Sequence, residues 1–265
     1  MNPGDKERAA LDILRGLGSV AVAFSGGADS SLVCSLAKEA VGDRAMAVIG
    51  RSPLDPVEDL GNARRIAGEI GIKLYEIELP AMSDERFVRN PADRCYYCKT
   101  LLFKAISDLA RKQGVKSIAD GSTNDDLDDA RPGMKAKREL GVSSPLLEAG
   151  ISKEEVRAIS KSRGLQTWDK PSSACLASRI PYGTRITEEL LERIGRMERF
   201  LKSNGFSQVR VRAHGQIARI EIDPLEMPRL LEMREIVAKE FKGAGFIYIS
   251  LDIEGFRSGS MNEVL

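Results

Sequence analysis

Apolar and polar positions along this chain of 265 residues alternate between two periods, and each switch predicts an element. Residues 5–17 carry apolar positions at helix spacing. Ser19-Val20-Ala21-Val22-Ala23 is a short buried strand, and an apolar-periodic helix runs from about Ser30 to Ala40. Ala45-Met46-Ala47-Val48-Ile49-Gly50 is a second buried strand. Residues 56–70 are helical, with Ala63, Ile66, Ala67 and Ile70 on one side. Lys73–Leu79 alternates like a strand, 99–113 is a helix ended by Gly114, and Ser117–Asp120 is a strand. Strand and helix alternating in this way predict an α/β, doubly wound parallel sheet with helices on both faces. Ligands of such a sheet bind at the carboxyl ends of its strands, where the loops 25–30 and 121–126 fall.

The tail reads differently. Residues 187–203 form a helix with Leu190, Leu191, Ile194, Met197 and Leu201 on its apolar side. Gln208–Arg212, Ala218–Ile222 and Phe246–Asp252 are strands, with a helix at 224–240 between the last two. The expected organisation is a nucleotide-type domain over 1–166 and a smaller C-terminal α+β domain over 184–265. Residues 167–183, with Pro171, Pro181 and Gly183, join them. No internal repeat is present.

The first loop, Phe24-Ser25-Gly26-Gly27-Ala28-Asp29-Ser30, is built for phosphate. Gly26 and Gly27 let the backbone approach an anion, and Ser25 and Ser30 add hydroxyls. The following helix points its free N–H groups and positive dipole end at the same place. A carboxylate would repel bare phosphate, so Asp29 makes sense as a ligand of a bridging Mg²⁺. The loop lacks the spacing of a Walker A sequence. It resembles instead the pyrophosphatase (PP) loop of the adenine nucleotide alpha hydrolase-like ATP-pyrophosphatases, which adenylate an oxygen and release pyrophosphate. Gly121-Ser122-Thr123-Asn124-Asp125-Asp126 lies at the equivalent end of a later strand. Gly121, Thr123, Asn124 and Asp126 are therefore assigned to ATP with the first loop. Arg131 adds a cation just downstream.

Composition limits the partners. Formal net charge is +1, so no global field favours a polyanion, and nucleic acid is not expected. No apolar run approaches a membrane span, and the N-terminus has no apolar signal region, so a cytoplasmic protein is expected. In that compartment four cysteines are metal ligands, catalysts or core residues rather than disulfides.

Cys95-Tyr96-Tyr97-Cys98 is a C-x-x-C pair able to chelate a metal or a cluster. A thioredoxin-like motif fits less well, because no strand precedes it and no helix is read from its first cysteine. Cys175 lies between polar residues and Arg179, which favour a thiolate. Cys34 sits among Leu32, Val33 and Leu36 as a small core residue. Cys95, Cys98 and Cys175 suit a 4Fe-4S cluster with one iron open to sulfide. The lone His214 would complete a Cys₃His zinc site instead.

In Gln208–Gly215, Arg210, Arg212 and His214 share one strand face, while Val209 and Val211 face the core. Arg219, Glu221 and Asp223 share a face of the next strand. A cationic row beside carboxylates suits a phosphate, with Glu221 as a metal ligand.

Together these segments resemble one family, the ATP-dependent sulfur transferases (LarE) that make the nickel-pincer nucleotide cofactor of lactate racemase. The resemblance runs through residues 23–30, Asp93–Lys99, Asp120–Asp126, Arg131-Pro132-Gly133, Lys170–Gly183 and Arg210-Val211-Arg212. It implies a pyridinium mononucleotide substrate carrying two carboxylates. ATP adenylates a carboxylate, and sulfur then displaces AMP. Single-cysteine members give up the sulfur of the cysteine matching Cys175. The additional Cys95 and Cys98 resemble the three-cysteine branch, in which a 4Fe-4S cluster carries sulfide and the cysteines survive. The implied partners are the mononucleotide, with Arg210, Arg212, His214, Arg179 and Arg131 around it, and sulfide or another sulfur donor. A homo-oligomer is expected.

Three other functions compete: a tRNA thiolase, an amidotransferase-fed synthetase and a non-catalytic nucleotide-binding scaffold. Neutral charge and only 5% aromatic residues disfavour an RNA surface. No ammonia-generating domain is visible, and ATP turnover to AMP and pyrophosphate separates the enzymes from the scaffold.

Overall fold

The computed structural model describes residues 2–55, 57–126, 132–170, 174–257 and 259–263. In chain order the helices are α1 (Pro3–Leu17), α2 (Ala28–Val41), α3 (Val57–Ile70), α4 (Glu85–Val88), α5 (Arg94–Lys112), α6 (Pro132–Glu139), α7 (Pro145–Glu148), α8 (Lys153–Ser162), α9 (Glu188–Ser203), α10 (Met227–Glu232) and α11 (Arg234–Gly243). The strands are β1 (Val20–Ala23), β2 (Ala45–Arg51), β3 (Lys73–Glu78), β4 (Ser117–Ala119), β5 (Val209–His214), β6 (Ile217–Ile222) and β7 (Tyr248–Leu251). The chain divides into two compact units, one of Met1–Ala81 with Asp93–Ser173, the other of Met82–Ala92 with Ala174–Leu265.

The first unit holds a parallel sheet in the order β3-β2-β1-β4. Alternation along β1 sends Val20 and Val22 to one face, where they pack with Leu32, Leu36, Ile66, Leu146 and Ile159. Ala21 goes to the other, with Met46, Val48, Phe103 and Ile106. Helices α1, α2, α3, α7 and α8 thus cover one face and α5 the other. The chain runs outward from β1 to β2 and β3, then returns to place β4 on the opposite side of β1. That reversal is a topological switch point, and it opens a crevice between the carboxyl ends of β1 and β4.

In the second unit β5 and β6 are antiparallel and β7 adds parallel to β6. Val209, Val211, Ile220 and Ile222 are buried, as are Leu191, Ile194, Met197 and Leu201 of α9 and Phe241 of α11.

Three local readings differ from expectation. First, α5 begins at Arg94 rather than near 99, so Cys95 and Cys98 are its second and fifth residues. Second, the expected 224–240 helix is broken at Met233 into α10 and α11. Third, Met82–Ala92 joins the second unit instead of the first domain. Asn90 explains the third: fully buried at φ 58°, it donates from Nδ2 to the carbonyls of Pro181 (2.8 Å) and Thr184 (3.0 Å). Gly183 N–H donates back to the Asn90 carbonyl at 2.9 Å. Among the described residues, no helix is long and apolar enough to cross a membrane.

Candidate active site

The loop after β1 turns at Gly26, whose φ of +68° is a conformation that residues with a Cβ rarely adopt. Gly27 caps α2 without any side-chain hydrogen bond, so the first-turn N–H groups of α2 face the crevice unspent. The two serines brace the loop. Ser30 Oγ accepts from Ser25 N–H (3.2 Å) and lies 3.1 Å from Ser25 Oγ, and Ser31 Oγ donates to the Gly27 carbonyl at 2.7 Å. The crevice is a cleft of about 210 Å³ lined by Ser25, Gly27, Asp29, Ser30, Lys99, Asp120, Gly121, Ser122 and Asp126, with apolar walls from Phe24 and Leu102.

Of the residues assigned to ATP from sequence, Ser25, Gly27, Asp29, Ser30, Gly121 and Asp126 line this cleft, and Gly26 shapes its rim. Thr123 and Asn124 do not line it. Thr123 is buried and gives its N–H and Oγ1 to Asp126 Oδ2 (3.0 and 3.2 Å), while Asn124 N–H goes to the Ile151 carbonyl. Both shape the loop from behind. Gly121 is needed for packing: a Cβ there would sit 2.8 Å from Ser30 N and 3.0 Å from Asp29 C. The second loop is thereby pressed against the N-terminus of α2.

Asp29 sits at the floor of the cleft. Burial raises its carboxyl above the ordinary 3.8, Asp126 and Asp125 push the same way, and Lys153 and Arg157 oppose them. A desolvated carboxylate beside Asp126 and two serine hydroxyls is a set of hard oxygen donors, which fits Mg²⁺. Among the described residues no group of three or more His, Cys, Asp and Glu forms a metal site on its own. Magnesium on a nucleotide completes its shell with phosphate oxygens and water, so two carboxylates suffice.

Sequence reading passed over four cations here. Lys99 lines the cleft one residue beyond Cys98. Lys137 of α6 is buried and donates to Ser122 Oγ (2.5 Å) and Ser144 Oγ (3.1 Å), and pairs with Asp120 Oδ2 at 3.1 Å, tying the second loop to α6 and α7. Lys153 of α8 reaches Asp126 Oδ1 at 3.3 Å. Lys170 donates to the Gly26 carbonyl at 3.0 Å. One of them had a legible signal. Ser152-Lys153-Glu154-Glu155 is a capping box in the structure, and its pattern announces the helix that presents Lys153 and Arg157.

None of the four cysteines is joined in a disulfide. Cys34 is buried on α2 as expected, and burial pushes its thiol far above the ordinary range. Cys95 is exposed and Cys98 half-buried; at i and i+3 near the start of α5 they share a face of that helix. Cys175 is half-buried in the second unit and heads the short helical turn Leu176–Arg179.

The cationic strand face is more buried than its alternation suggested. Arg179 is 1% exposed and forms a two-pronged ion pair with Glu198 at 2.8 and 3.0 Å. Its remaining nitrogen donates to the carbonyls of Ala174 (2.8 Å) and Cys175 (3.2 Å), fixing the backbone that carries the thiol. Arg212 is buried and paired with Glu221 at 2.7 Å, and it also donates to the Ser178 carbonyl and to Ser260 Oγ. Glu221 is fully buried; Arg219 and Ser260 occupy its other oxygen, so both of its oxygens already answer cations or hydroxyls rather than a metal. Arg210 is half-buried over the Phe256 ring at 5.1 Å. Burial, and next the charge of Arg179, push its guanidinium down to about 10. His214 lies at the end of the row, where burial and then Arg219 lower its imidazole, and its Nε2 is buried without a partner. Arg131 lies outside the described residues.

The chain is similar to several known proteins. The family model described as NAD synthase matches residues 14–90, the stretch that builds β1, the phosphate loop and α2. An uncharacterized Synechocystis protein is 42% identical over 92% of each chain. The pyridinium-3,5-bisthiocarboxylic acid mononucleotide synthase of Lactiplantibacillus plantarum is 38% identical over 98% of this chain and 95% of its own. A tRNA-specific 2-thiouridylase of Rickettsia felis is 27% identical over 65% of this chain and 54% of its own. With a phosphate loop at the switch point of a parallel sheet and a near full-length match to the Lactiplantibacillus synthase, the chain belongs to the LarE family of ATP-dependent sulfur transferases.

Proposed function

We propose that the protein uses ATP to adenylate a carboxylate of pyridinium-3,5-biscarboxylic acid mononucleotide and converts it to a thiocarboxylate for nickel-pincer cofactor synthesis. The observation that carries this reading is the cleft between β1 and β4. Its loop, helix N-terminus and Asp29–Asp126 pair suit magnesium–pyrophosphate, and the chain aligns along nearly its whole length with a synthase of the bisthiocarboxylic product.

The residues divide the work. N–H groups of the Ser25–Ser30 loop and α2 hold the β- and γ-phosphates, and Asp29 with Asp126 holds the magnesium. A substrate carboxylate oxygen bonds to the α-phosphorus as the bond to the β-phosphate oxygen breaks, and the electron pair leaves with pyrophosphate. Sulfur then bonds to the carboxyl carbon, the carbon–oxygen bond to AMP breaks, and a thiocarboxylate remains. Arg210, at the half-buried end of the arginine row, takes the substrate phosphate, and His214 closes the opposite end of the row.

Cys95, Cys98 and Cys175 would hold a 4Fe-4S cluster. The donor chemistry fits, because all three are cysteines outside any disulfide and at least partly accessible. When bound, the cluster supplies an iron without a protein thiolate, at which inorganic sulfide can be held. Arg179 and Ser178 keep the Cys175 backbone in place for that role.

The test is turnover with ATP, Mg²⁺, the dicarboxylate mononucleotide and sulfide. One AMP and one pyrophosphate per thiocarboxylate are expected. Asp29→Asn keeps the loop but removes the charged magnesium ligand, and should abolish pyrophosphate release. Normal release by that variant would sink the assignment.

A further inference from the structure

We infer that Lys170 is a further ATP-positioning residue, an ammonium that meets the pyrophosphate as it leaves. The inference rests on the function proposed above and deepens it. Nothing in the phosphate-loop motif points to this lysine, which lies 140 residues beyond Ser30 in the chain.

Three observations place it. Lys170 Nζ donates to the Gly26 carbonyl at 3.0 Å, at the left-handed turn of the phosphate loop. The backbone bearing Lys170 is tied down: Arg157 of α8 donates to the carbonyls of Trp168 (3.3 Å) and Lys170 (3.4 Å), and Trp168 carries the Lys161 ammonium 4.5 Å over its ring. The same α8 presents Lys153 to Asp126, and both Lys153 and Arg157 act on Asp29. One helix therefore holds both the Asp126 carboxylate and the backbone of Lys170.

The chemistry follows from charge. Anionic phosphates seated on the loop bring up to four negative charges against Gly26 and Gly27. Loop N–H groups supply only partial positive charge, and Asp29 and Asp126 are anions. The ammonium at the Gly26 carbonyl brings a full positive charge to the phosphate loop. When the bond between the α-phosphorus and the β-phosphate oxygen breaks, charge moves onto the β-phosphate, where such a cation is most effective. A compact ammonium acts on a phosphate oxygen as a point charge, without the fixed fork geometry of a guanidinium.

The test compares wild type with Lys170→Met and Lys170→Arg, with Mg²⁺ present. Inhibition by inorganic pyrophosphate and by AMP is measured, together with pyrophosphate release from ATP. Lys170→Met is expected to weaken pyrophosphate inhibition roughly tenfold or more, as loss of a charge-assisted hydrogen bond does, and to leave AMP inhibition within about twofold. Lys170→Arg should recover most of the pyrophosphate affinity. Unchanged pyrophosphate inhibition in Lys170→Met overturns the inference. So does equal weakening of pyrophosphate and AMP, which marks a lysine that merely supports the loop. If the wild type releases no pyrophosphate at all, the proposed function falls and this inference with it.

Discussion

Arg212 and Glu221 form an ion pair at 2.7 Å across β5 and β6, and both side chains are buried from water. Arg212 thus lies on a covered face of the sheet. Removing it leaves Glu221 desolvated, with only Arg219 and Ser260 to answer it. Arg212→Ala should cost about 3 kcal/mol of fold stability, as breaking a buried pair does. Arg210→Ala loses a half-buried cation–π contact and should cost about 1 kcal/mol or less. It should nevertheless weaken the mononucleotide roughly 10- to 150-fold. Urea denaturation and substrate titration of the two variants, side by side, check the contrast. Equal stability losses would show that the pair does not anchor the sheet.

Gly121→Ala puts a methyl group 2.8 Å from Ser30 N, against backbone at the head of α2. Neither loop can give without moving the phosphate cradle. The expected cost is about 1–3 kcal/mol, together with a raised KM for ATP. Gly61→Ala serves as the control, since nothing lies within 4 Å of the added carbon. Equal ATP kinetics in the two variants would contradict the packing account.

Glu155 links α8 to α1 through Lys6, with Nζ 2.8 Å from both carboxylate oxygens. The Lys6 hydrogen bond first, and the Ser152 N–H next, hold its carboxyl below the ordinary 4.5. A depressed folded pKa contributes stability that is complete above the unfolded value and lost as pH falls through the folded one. Glu155→Gln keeps a capping side chain but loses the charge. It should be less stable than wild type near neutral pH, and the difference should shrink as pH falls below 4.5. Urea midpoints across that range decide it. A difference independent of pH would remove the charge from the explanation.

The cysteines separate two sources of sulfur. If Cys95, Cys98 and Cys175 hold one cluster, alanine at any of them should lose bound iron and sulfur transfer, and Cys34→Ala should lose neither. Chain mass should then stay constant over repeated turnover with sulfide. If Cys175 is itself the donor, only its alanine variant is inactive, and the chain loses the mass of H₂S after one turnover. Intact-protein mass spectrometry with iron analysis distinguishes them.

Much of the first unit was legible in the sequence because its signals are local. Val20–Ala23, the two glycines and Ser30 form a strand, a turn and a helix start within a dozen residues, and the structure builds them so. The start of α5 was missed because Cys95 and Cys98 lie on its partly exposed N-terminal residues, where no apolar period runs. Asn90 docks Met82–Ala92 within the second unit by hydrogen bonds to carbonyls some 90 residues on, which no local pattern records.

Sequence by itself determined the phosphate loop and the alternation of β5, which depend on neighbours within a few residues, and the parallel sheet, which follows from strands alternating with helices. Tertiary structure alone decided what covers each face. A period of two says that Arg210, Arg212 and His214 point together. It does not say that Ser178, Ser260 and Glu221 enclose Arg212. Nor does it say that Gly121 is held open by the backbone of Ser30, or that Lys170 returns to Gly26. Burial and charge pairing are set by residues distant in sequence and brought together only by packing, and those contacts decide which cations remain for a ligand.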